Sequence, residues 1–292
     1  MRFLEVTRFL DVRLSAVGGN LAASVAINQG TNIGNYRSLK AAQLLNDIQG
    51  RHVLIATHGF HVNRSSGIAC LSNWEGLLQL APTALFIGLL WPGDSIWFRS
   101  LDYPEEPRVA NEAGWLVAPF LDANFRGAAS ISFASHSLGA RVLLATISQM
   151  SLPVRRAIIM AGAIDDNCLI MEFKAAAAKI GRISVLASRQ DEVLSAAFPL
   201  GNFLAGVITE GHPWWHAALG QGGPSTPWPG NFQSPFEIPD NWDFGHGDYL
   251  QMDPPAPSIV VPADVPPNGY PEPGTSYWQA AWTAAFSSTR FR

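Results

Sequence analysis

The stretch Ala134-Ser135-His136-Ser137-Leu138-Gly139-Ala140 decides how this chain can fold. The apolar run 131–134 is short and rich in residues that favour strands, so it predicts a buried strand. The run 140–147 has apolar residues at helical spacing and predicts a helix. A sharp turn between the two would expose the Ser137 hydroxyl at the edge of a sheet, with the Leu138 amide beside it.

An ordinary structural role for Ser137 fits the same stretch. Serine is a common N-cap residue, because its hydroxyl oxygen accepts a hydrogen bond from an amide of the first helical turn. The usual pattern around a reactive serine is Gly-x-Ser-x-Gly. Here Ser135 stands at the first glycine position, while Gly139 keeps the second. The stretch alone therefore leaves a capping serine and a nucleophile both open.

The composition predicts one large domain over residues 1–292. The chain is 48% hydrophobic and 14% charged, which is enough apolar material to enclose a core. The net charge is −4 and no dense Lys/Arg stripe appears, so we expect no nucleic-acid partner. The two cysteines fit no metal-ligand spacing, and we expect neither a metal nor a cofactor. We expect a cytoplasmic protein without an integral membrane segment, because charges interrupt the first residues and no apolar run is long enough to cross a bilayer.

Short apolar strands alternate with helices along most of the chain. After an opening hairpin within 1–35, buried strands are predicted at 52–57, 84–90, 131–134, 156–161 and 182–187. Helices are predicted at 36–48, around 74–78, and at 107–124, 140–147 and 169–180. This alternation predicts a mostly parallel sheet with helices on both faces. The functional site should lie in the loops beyond the carboxyl ends of the strands.

Four motifs follow one another along the predicted sheet. They are His58-Gly59-Phe60, Trp91-Pro92-Gly93-Asp94-Ser95, Ser135-His136-Ser137-Leu138-Gly139 and Gly245-His246-Gly247-Asp248-Tyr249. With these motifs, residues 52 to 250 resemble the α/β-hydrolase-fold serine hydrolases, and more narrowly the family called domain of unknown function 900. The resemblance implies an α/β-hydrolase fold with Ser137 on its nucleophile elbow. The superfamily also includes lipases, thioesterases, peptidases, dehalogenases and lyases, so the resemblance says more about the fold than about the substrate.

The resemblance also predicts the partners of Ser137. In this fold the nucleophile is followed along the chain by an acid and then by a histidine. Asp191 follows the predicted strand 182–187, and His246 lies between two glycines on a late loop. We expect His246 to act as the base and Asp191 to orient it. The alternatives are Asp165 or Asp166 as the acid, Asp191 as a helix cap, and His212 or His216 as the base. We expect Asp248 to be a local hydrogen-bond partner rather than the acid.

The first motif predicts an oxyanion hole. A His-Gly-x segment after a central strand supplies a backbone donor in this superfamily, so the Phe60 and Leu138 amides are the expected pair. We expect His58 to brace the loop rather than to transfer protons, and His52 to lie on the surface. His61, Asn63 and Arg64 follow on the same loop, where they would contact substrate or remain solvated.

Residues 196–245 interrupt the alternation and are rich in aromatic residues. We expect this segment to roof the pocket, with Trp214, Trp215 and His61 contacting an apolar acyl or alcohol group. Simple packing of an irregular segment onto the core would use the same aromatic residues. The proline-rich stretch 253–274 predicts a surface segment.

The sequence therefore predicts an esterase or lipase-like serine hydrolase that cleaves a small, apolar carboxylic ester through an acyl-enzyme. One alternative is a catalytically silent hydrolase fold that binds a ligand or a protein. Another is an amide or thioester hydrolase, because the triad chemistry is shared.

Overall fold

One sheet organises the part of the chain that the computed structural model describes, which is residues 6–78, 80, 82–94, 106–195, 217–232, 236–238, 240 and 244–250. Its nine strands are β1 (Thr7–Arg13), β2 (Leu21–Gly30), β3 (Arg37–Ser38), β4 (His52–Thr57), β5 (Ala84–Leu90), β6 (Ser130–His136), β7 (Val154–Met160), β8 (Ile183–Ser188) and β9 (Phe236–Ile238). They lie in the order β3-β2-β1-β5-β4-β6-β7-β8-β9. Neighbours from β1 to β9 pair in parallel, whereas β2 and β3 form an antiparallel edge. The predicted α/β architecture with a mostly parallel sheet is confirmed.

The central strands carry apolar side chains on both faces. Every residue of β5 is buried, and in β4 only His52 is partly exposed. Such enclosure on both faces is typical of parallel strands covered by helices. At the antiparallel edge, β2 is mostly exposed or half-buried. The core therefore lies around β4, β5 and β6, and these strands aim their carboxyl ends at one edge of the sheet.

The helices are α1 (Ala41–Ile48), α2 (Arg64–Leu78), α3 (Glu106–Asn124), α4 (Gly139–Gln149) and α5 (Lys174–Lys179), followed by the short helix Leu219–Gly222. The predicted helix 36–48 begins later, at Ala41, because residues 37–38 pair with β2 as strand β3. The predicted helix 169–180 is shorter, because hydrogen-bonded turns occupy residues 166–173. Within the described ranges, no helix is both long enough and apolar enough to cross a membrane.

The described part of the aromatic segment 196–245 is built into the fold. Strand β9 extends the sheet by pairing in parallel with β8. The short helix Leu219–Gly222 docks beyond the end of β7, where the Gly220 amide donates to the Gly162 carbonyl over 2.9 Å. Trp214 and Trp215 lie outside the described residues, as does the proline-rich stretch 253–274. The roof over the pocket stays a prediction.

Helix α4, which follows the Ser137 turn, packs closely against α3. At Gly114 of α3, an added Cβ would lie 2.7 Å from the Ala145 Cβ, 2.7 Å from the Thr146 amide nitrogen and 2.8 Å from the Val142 carbonyl oxygen. Real Cβ atoms do not approach backbone atoms this closely, so glycine lets the two helices touch. This contact fixes α4 relative to α3.

Substitution of Gly114 tests this contact. Gly114→Ala should lower the free energy of unfolding by about 1–3 kcal/mol, because the added methyl group overpacks the interface between α3 and α4. Gly76→Ala in α2 is the matched control, since a Cβ there meets nothing within 4 Å. Alanine's higher helix propensity should leave that variant neutral or more stable by about 0.5–1 kcal/mol. Urea unfolding measures both, and equal stability of the two variants would contradict the close approach.

Candidate active site

Ser137 occupies a sharp turn between β6 and α4. Its φ is 54°, a left-handed conformation that is costly for a residue with a side chain. Backbone hydrogen bonds hold this conformation: the Ser137 amide donates to the Met160 carbonyl over 3.0 Å, and the Ala163 amide donates to the Ser137 carbonyl over 3.2 Å. Leu138, not Ser137, occupies the N-cap position of α4, and no side chain makes a capping hydrogen bond there. The capping interpretation of Ser137 is therefore wrong.

Two glycines let the neighbouring loop reach this turn. A Cβ at Gly139 would lie 2.5 Å from the His58 carbonyl oxygen, and a Cβ at Gly59 would lie 2.6 Å from the Ser137 Cβ. Ser135, at the position where the usual pattern has glycine, is fully buried, and its hydroxyl has no hydrogen-bond partner among the described groups. The close approach in this turn thus depends on Gly59 and Gly139.

His246 lies between Ser137 and Asp191. Its Nε2 is 2.9 Å from the Ser137 Oγ, and its Nδ1 is 2.7 Å from the Asp191 Oδ2. Because a carboxylate only accepts hydrogen bonds, Nδ1 carries the proton and Nε2 is free to accept the serine hydroxyl proton. The Asp191 side chain is fully buried and that of His246 is 17% exposed, so this chain of hydrogen bonds is shielded from water along most of its length.

Asp191 makes two contacts with its two carboxylate oxygens. It follows β8, and while Oδ2 accepts from His246, Oδ1 accepts from the Leu194 amide over 2.9 Å. The latter bond caps a helical turn that begins at residue 192. The helix-cap and histidine-partner interpretations of Asp191 therefore hold together, and the cap fixes the carboxylate in the orientation that His246 needs.

The loop that carries His246 is anchored at three points. The Ser188 hydroxyl donates to the Phe244 carbonyl over 2.6 Å, and Asp248 accepts from the Gly245 amide over 2.7 Å. Asp248 is thus the local hydrogen-bond partner that the sequence predicts. The third anchor is His136, whose Nε2 lies 2.7 Å from the His246 carbonyl oxygen. No local pattern in the sequence indicates a role for His136, because its partner lies so far along the chain.

The two amides expected to form the oxyanion hole make no hydrogen bond with another described group. Among the described groups, no acceptor takes the N–H of Phe60 or of Leu138. Leu138 directly follows Ser137. Gly59, the residue before Phe60, lies against the Ser137 side chain. The loop is held beyond this point because the His61 amide donates to the Gly93 carbonyl over 2.6 Å.

The other residues of this loop differ in exposure and contacts. His61 is exposed at the edge of the sheet where the site lies. Asn63 accepts from the Ser66 amide at the start of α2 over 2.9 Å, and Arg64 pairs with Asp11 at 2.9 Å. Asn63 and Arg64 thus make contacts that hold the loop, while both stay half-buried, and contact with substrate stays a prediction.

Two histidines beside the site are neutral, and of these His58 is buried whereas His136 is half-buried. Burial, the largest cause, lowers the pKa of His58 to about 4, and its Nδ1 lies 2.9 Å from the Gly59 carbonyl oxygen, which braces the loop as expected. Burial, followed by the charge of His246, lowers the pKa of His136 to about 3. Neither ring therefore carries a positive charge near neutral pH. His52 lies at the opposite end of the strands, half-buried, with its Nδ1 2.8 Å from the Ser130 Oγ.

A buried arginine ties the loops of this edge together. The Arg13 guanidinium, at the end of β1, donates to the Val62 carbonyl over 3.0 Å and to the Trp91 carbonyl over 2.9 Å. It also pairs with Asp94, from the Trp-Pro-Gly-Asp motif. These bonds join the loops that follow β1, β4 and β5. Arg13 is not among the residues predicted from the sequence, although Asp94 in an otherwise apolar motif indicates a cationic partner.

The arrangement brings together the Ser137 hydroxyl, a ring nitrogen of His246 in contact with it, a buried carboxylate and two amides that have no acceptor among the described groups. Among the residues that the structure describes, no group of three or more His, Cys, Asp or Glu side chains is placed to hold a metal ion.

Comparison with solved structures finds matches of low similarity. MenH from S. aureus is 10% identical, with a TM-score of 0.32 over 70% of this chain and 90% of that chain. Carboxyl esterase 2 (TmelEST2) from the mycorrhizal fungus Tuber melanosporum is 12% identical, with a TM-score of 0.41 over 86% of this chain and 80% of that chain. Acetyl xylan esterase 1 from Thermoanaerobacterium sp. JW/SL YS485 is 12% identical, with a TM-score of 0.38 over 83% of each chain. Similarity at this level carries no argument about function.

A family model gives the stronger comparison. A search of curated protein sequences finds no match. The model of the family described as "Alpha/beta hydrolase of unknown function (DUF900)" matches residues 37–204, which is more than half of the chain and includes Ser137 and Asp191. The chain thus belongs to this family of α/β-hydrolases.

Proposed function

We propose that this protein is a serine hydrolase that cleaves carboxylic esters through a covalent acyl-enzyme. The observation that carries the proposal is the position of the His246 ring, 2.9 Å from the Ser137 Oγ and 2.7 Å from the Asp191 Oδ2. A serine hydroxyl is a weak nucleophile unless a base lies within hydrogen-bond reach and a third group orients that base. Membership of an α/β-hydrolase family supports the general reaction class.

Acylation would proceed from this geometry. The Ser137 Oγ attacks the ester carbonyl carbon while its proton moves to the His246 Nε2. Asp191 stabilises the resulting imidazolium through the Nδ1 proton. The negative charge on the former carbonyl oxygen is stabilised by the Phe60 and Leu138 amides. When the carbon–oxygen bond to the alcohol breaks, the leaving oxygen takes the proton from Nε2.

Deacylation uses the same groups in the same order. Water attacks the acyl carbon and gives one proton to the His246 Nε2. The bond to the Ser137 Oγ then breaks, and the serine recovers its proton from the imidazolium as the carboxylic acid leaves. Neutral His58 and His136 assist this cycle indirectly, because a second positive charge nearby would oppose formation of the imidazolium.

An apolar acyl or alcohol group is the proposed substrate feature. It is supported by the aromatic composition of residues 196–245. Exposed His61 lies on the loop beside the site, and Trp214 and Trp215 are the proposed contacts from the aromatic segment.

Removal of the Ser137 hydroxyl tests the proposal directly. Ser137→Ala should lower turnover of p-nitrophenyl esters by about 10⁴- to 10⁶-fold, since no oxygen remains to form the acyl-enzyme. It should also abolish labelling by a fluorophosphonate probe, with a melting temperature near that of the wild type. Ser132→Ala is the matched control, because it removes a buried β6 hydroxyl that has no described partner and should leave turnover near wild type.

Two outcomes would contradict this assignment. Ester turnover retained by the Ser137→Ala variant in a preparation free of other esterases would remove Ser137 from the reaction. Absence of labelling in folded wild-type protein would favour the catalytically silent fold.

The identity of the acid is tested by replacing single carboxylates. Asp191→Asn should lower kcat by roughly 10⁴-fold, because the amide favours the wrong His246 tautomer. Asp165→Asn and Asp166→Asn are the controls, since these residues are the rival acids in the sequence, and both should keep kcat near wild type. Steady-state kinetics on one ester decides the matter, and a comparable loss in either control would show that Asp191 is not the acid.

A further inference from the structure

His246 lies on a loop outside the sheet, so its position depends on a few polar contacts. Two of the anchors described above act on the residues before His246. The Ser188 hydroxyl donates to the Phe244 carbonyl, and Asp248 accepts from the Gly245 amide. The His136 Nε2 bonds to the carbonyl of His246 itself. Among the described contacts, this bond acts most directly on the backbone of the base.

His136 also belongs to the element that carries the nucleophile. It is the last residue of β6 and directly precedes Ser137. Its ring centroid lies 4.9 Å from that of His246, with the ring planes inclined at 53°. Among the described hydrogen bonds, the one from His136 therefore joins the strand that precedes Ser137 to the loop of His246, beside the contact between the Ser137 and His246 side chains.

The bond defines the protonation state of His136. A backbone carbonyl only accepts, so Nε2 must carry the proton and donate it. The other nitrogen, Nδ1, faces Gly59, where an added Cβ would lie 3.3 Å from it. Burial, the largest cause, keeps the pKa of His136 far below neutral. A neutral ring keeps this donor without adding a charge beside the imidazolium that forms on His246.

We infer that His136 is a positioning residue that holds the His246 backbone so that the imidazole stays in line between Ser137 and Asp191. This inference rests on the proposed function. It differs from a packing role, which His136 also has through its contact with the Tyr249 ring at 5.9 Å. Packing requires volume at this position, whereas positioning requires a hydrogen-bond donor at the place of Nε2.

A pair of variants of equal length separates the two roles. His136→Met removes the donor and keeps an unbranched side chain, while His136→Gln restores an amide donor near the position of Nε2. His136→Met should lower kcat for p-nitrophenyl esters by about 10- to 100-fold with KM little changed, since small displacements of a catalytic group cost about this much. His136→Gln should recover most of that loss. Melting temperatures of both variants are measured alongside.

The protonation state supplies a second readout that does not depend on activity. In wild-type protein labelled with ¹⁵N-histidine, with the His136 signals assigned by their loss in His136→Gln, His136 should remain the neutral Nε2–H tautomer from about pH 5 to 8. An Nδ1–H tautomer, or titration of His136 within that range, would overturn the inference.

The kinetic outcomes distinguish this inference from the proposed function. If wild-type turnover depends on Ser137 but His136→Met and His136→Gln have equal kcat values, the positioning role fails and the proposed function stands. The positioning role also fails, and the proposed function stands, if both variants lose kcat only in proportion to a fall in melting temperature. If the wild type shows no turnover that depends on Ser137, the proposed function fails and the positioning role fails with it.

Discussion

The left-handed backbone of Ser137 is the constraint on which the candidate site depends. A residue with a side chain adopts this conformation at a cost of about 1–3 kcal/mol, so the surrounding structure must hold it. The Met160 carbonyl, from the end of β7, and the Ala163 amide provide the backbone bonds. Gly59 and Gly139 have no side chain that would clash with the residues around this turn. The buried central strands supply the rigidity that keeps all of these groups in place.

The buried charged groups that the structure describes at this edge of the sheet are held by ion pairs or hydrogen bonds. Asp191 is fully buried but accepts two hydrogen bonds. The Arg13–Asp94 pair is enclosed, and its guanidinium also satisfies backbone carbonyls. Buried ion pairs of this kind contribute little net stability, because desolvation offsets the attraction between the charges. Their effect here is geometric, since Arg13 joins three loops that would otherwise be independent.

Much of the fold could be predicted, because strands and helices leave periodic patterns over short windows. The strands 52–57 and 84–90 are confirmed at both ends. The errors occurred where distant pairing overrides local preference: residues 37–38 were expected in a helix but pair with β2. The ion pair between Arg64 and Asp11 could not be predicted for the same reason, since no short window of sequence contains both residues.

The sequence by itself determined the strand–turn–helix around Ser137, the order in which Ser137, Asp191 and His246 follow one another, and the alternation that produces a parallel sheet. Only the tertiary structure decided that Asp191 meets His246, that His136 holds the His246 carbonyl, and that Arg13 joins the loops. Local patterns report the conformation of neighbouring residues, because side-chain spacing follows the geometry of one helix or one strand. Contacts between residues far apart in the chain depend on how the finished sheet brings its strand ends together, which no short window of sequence records.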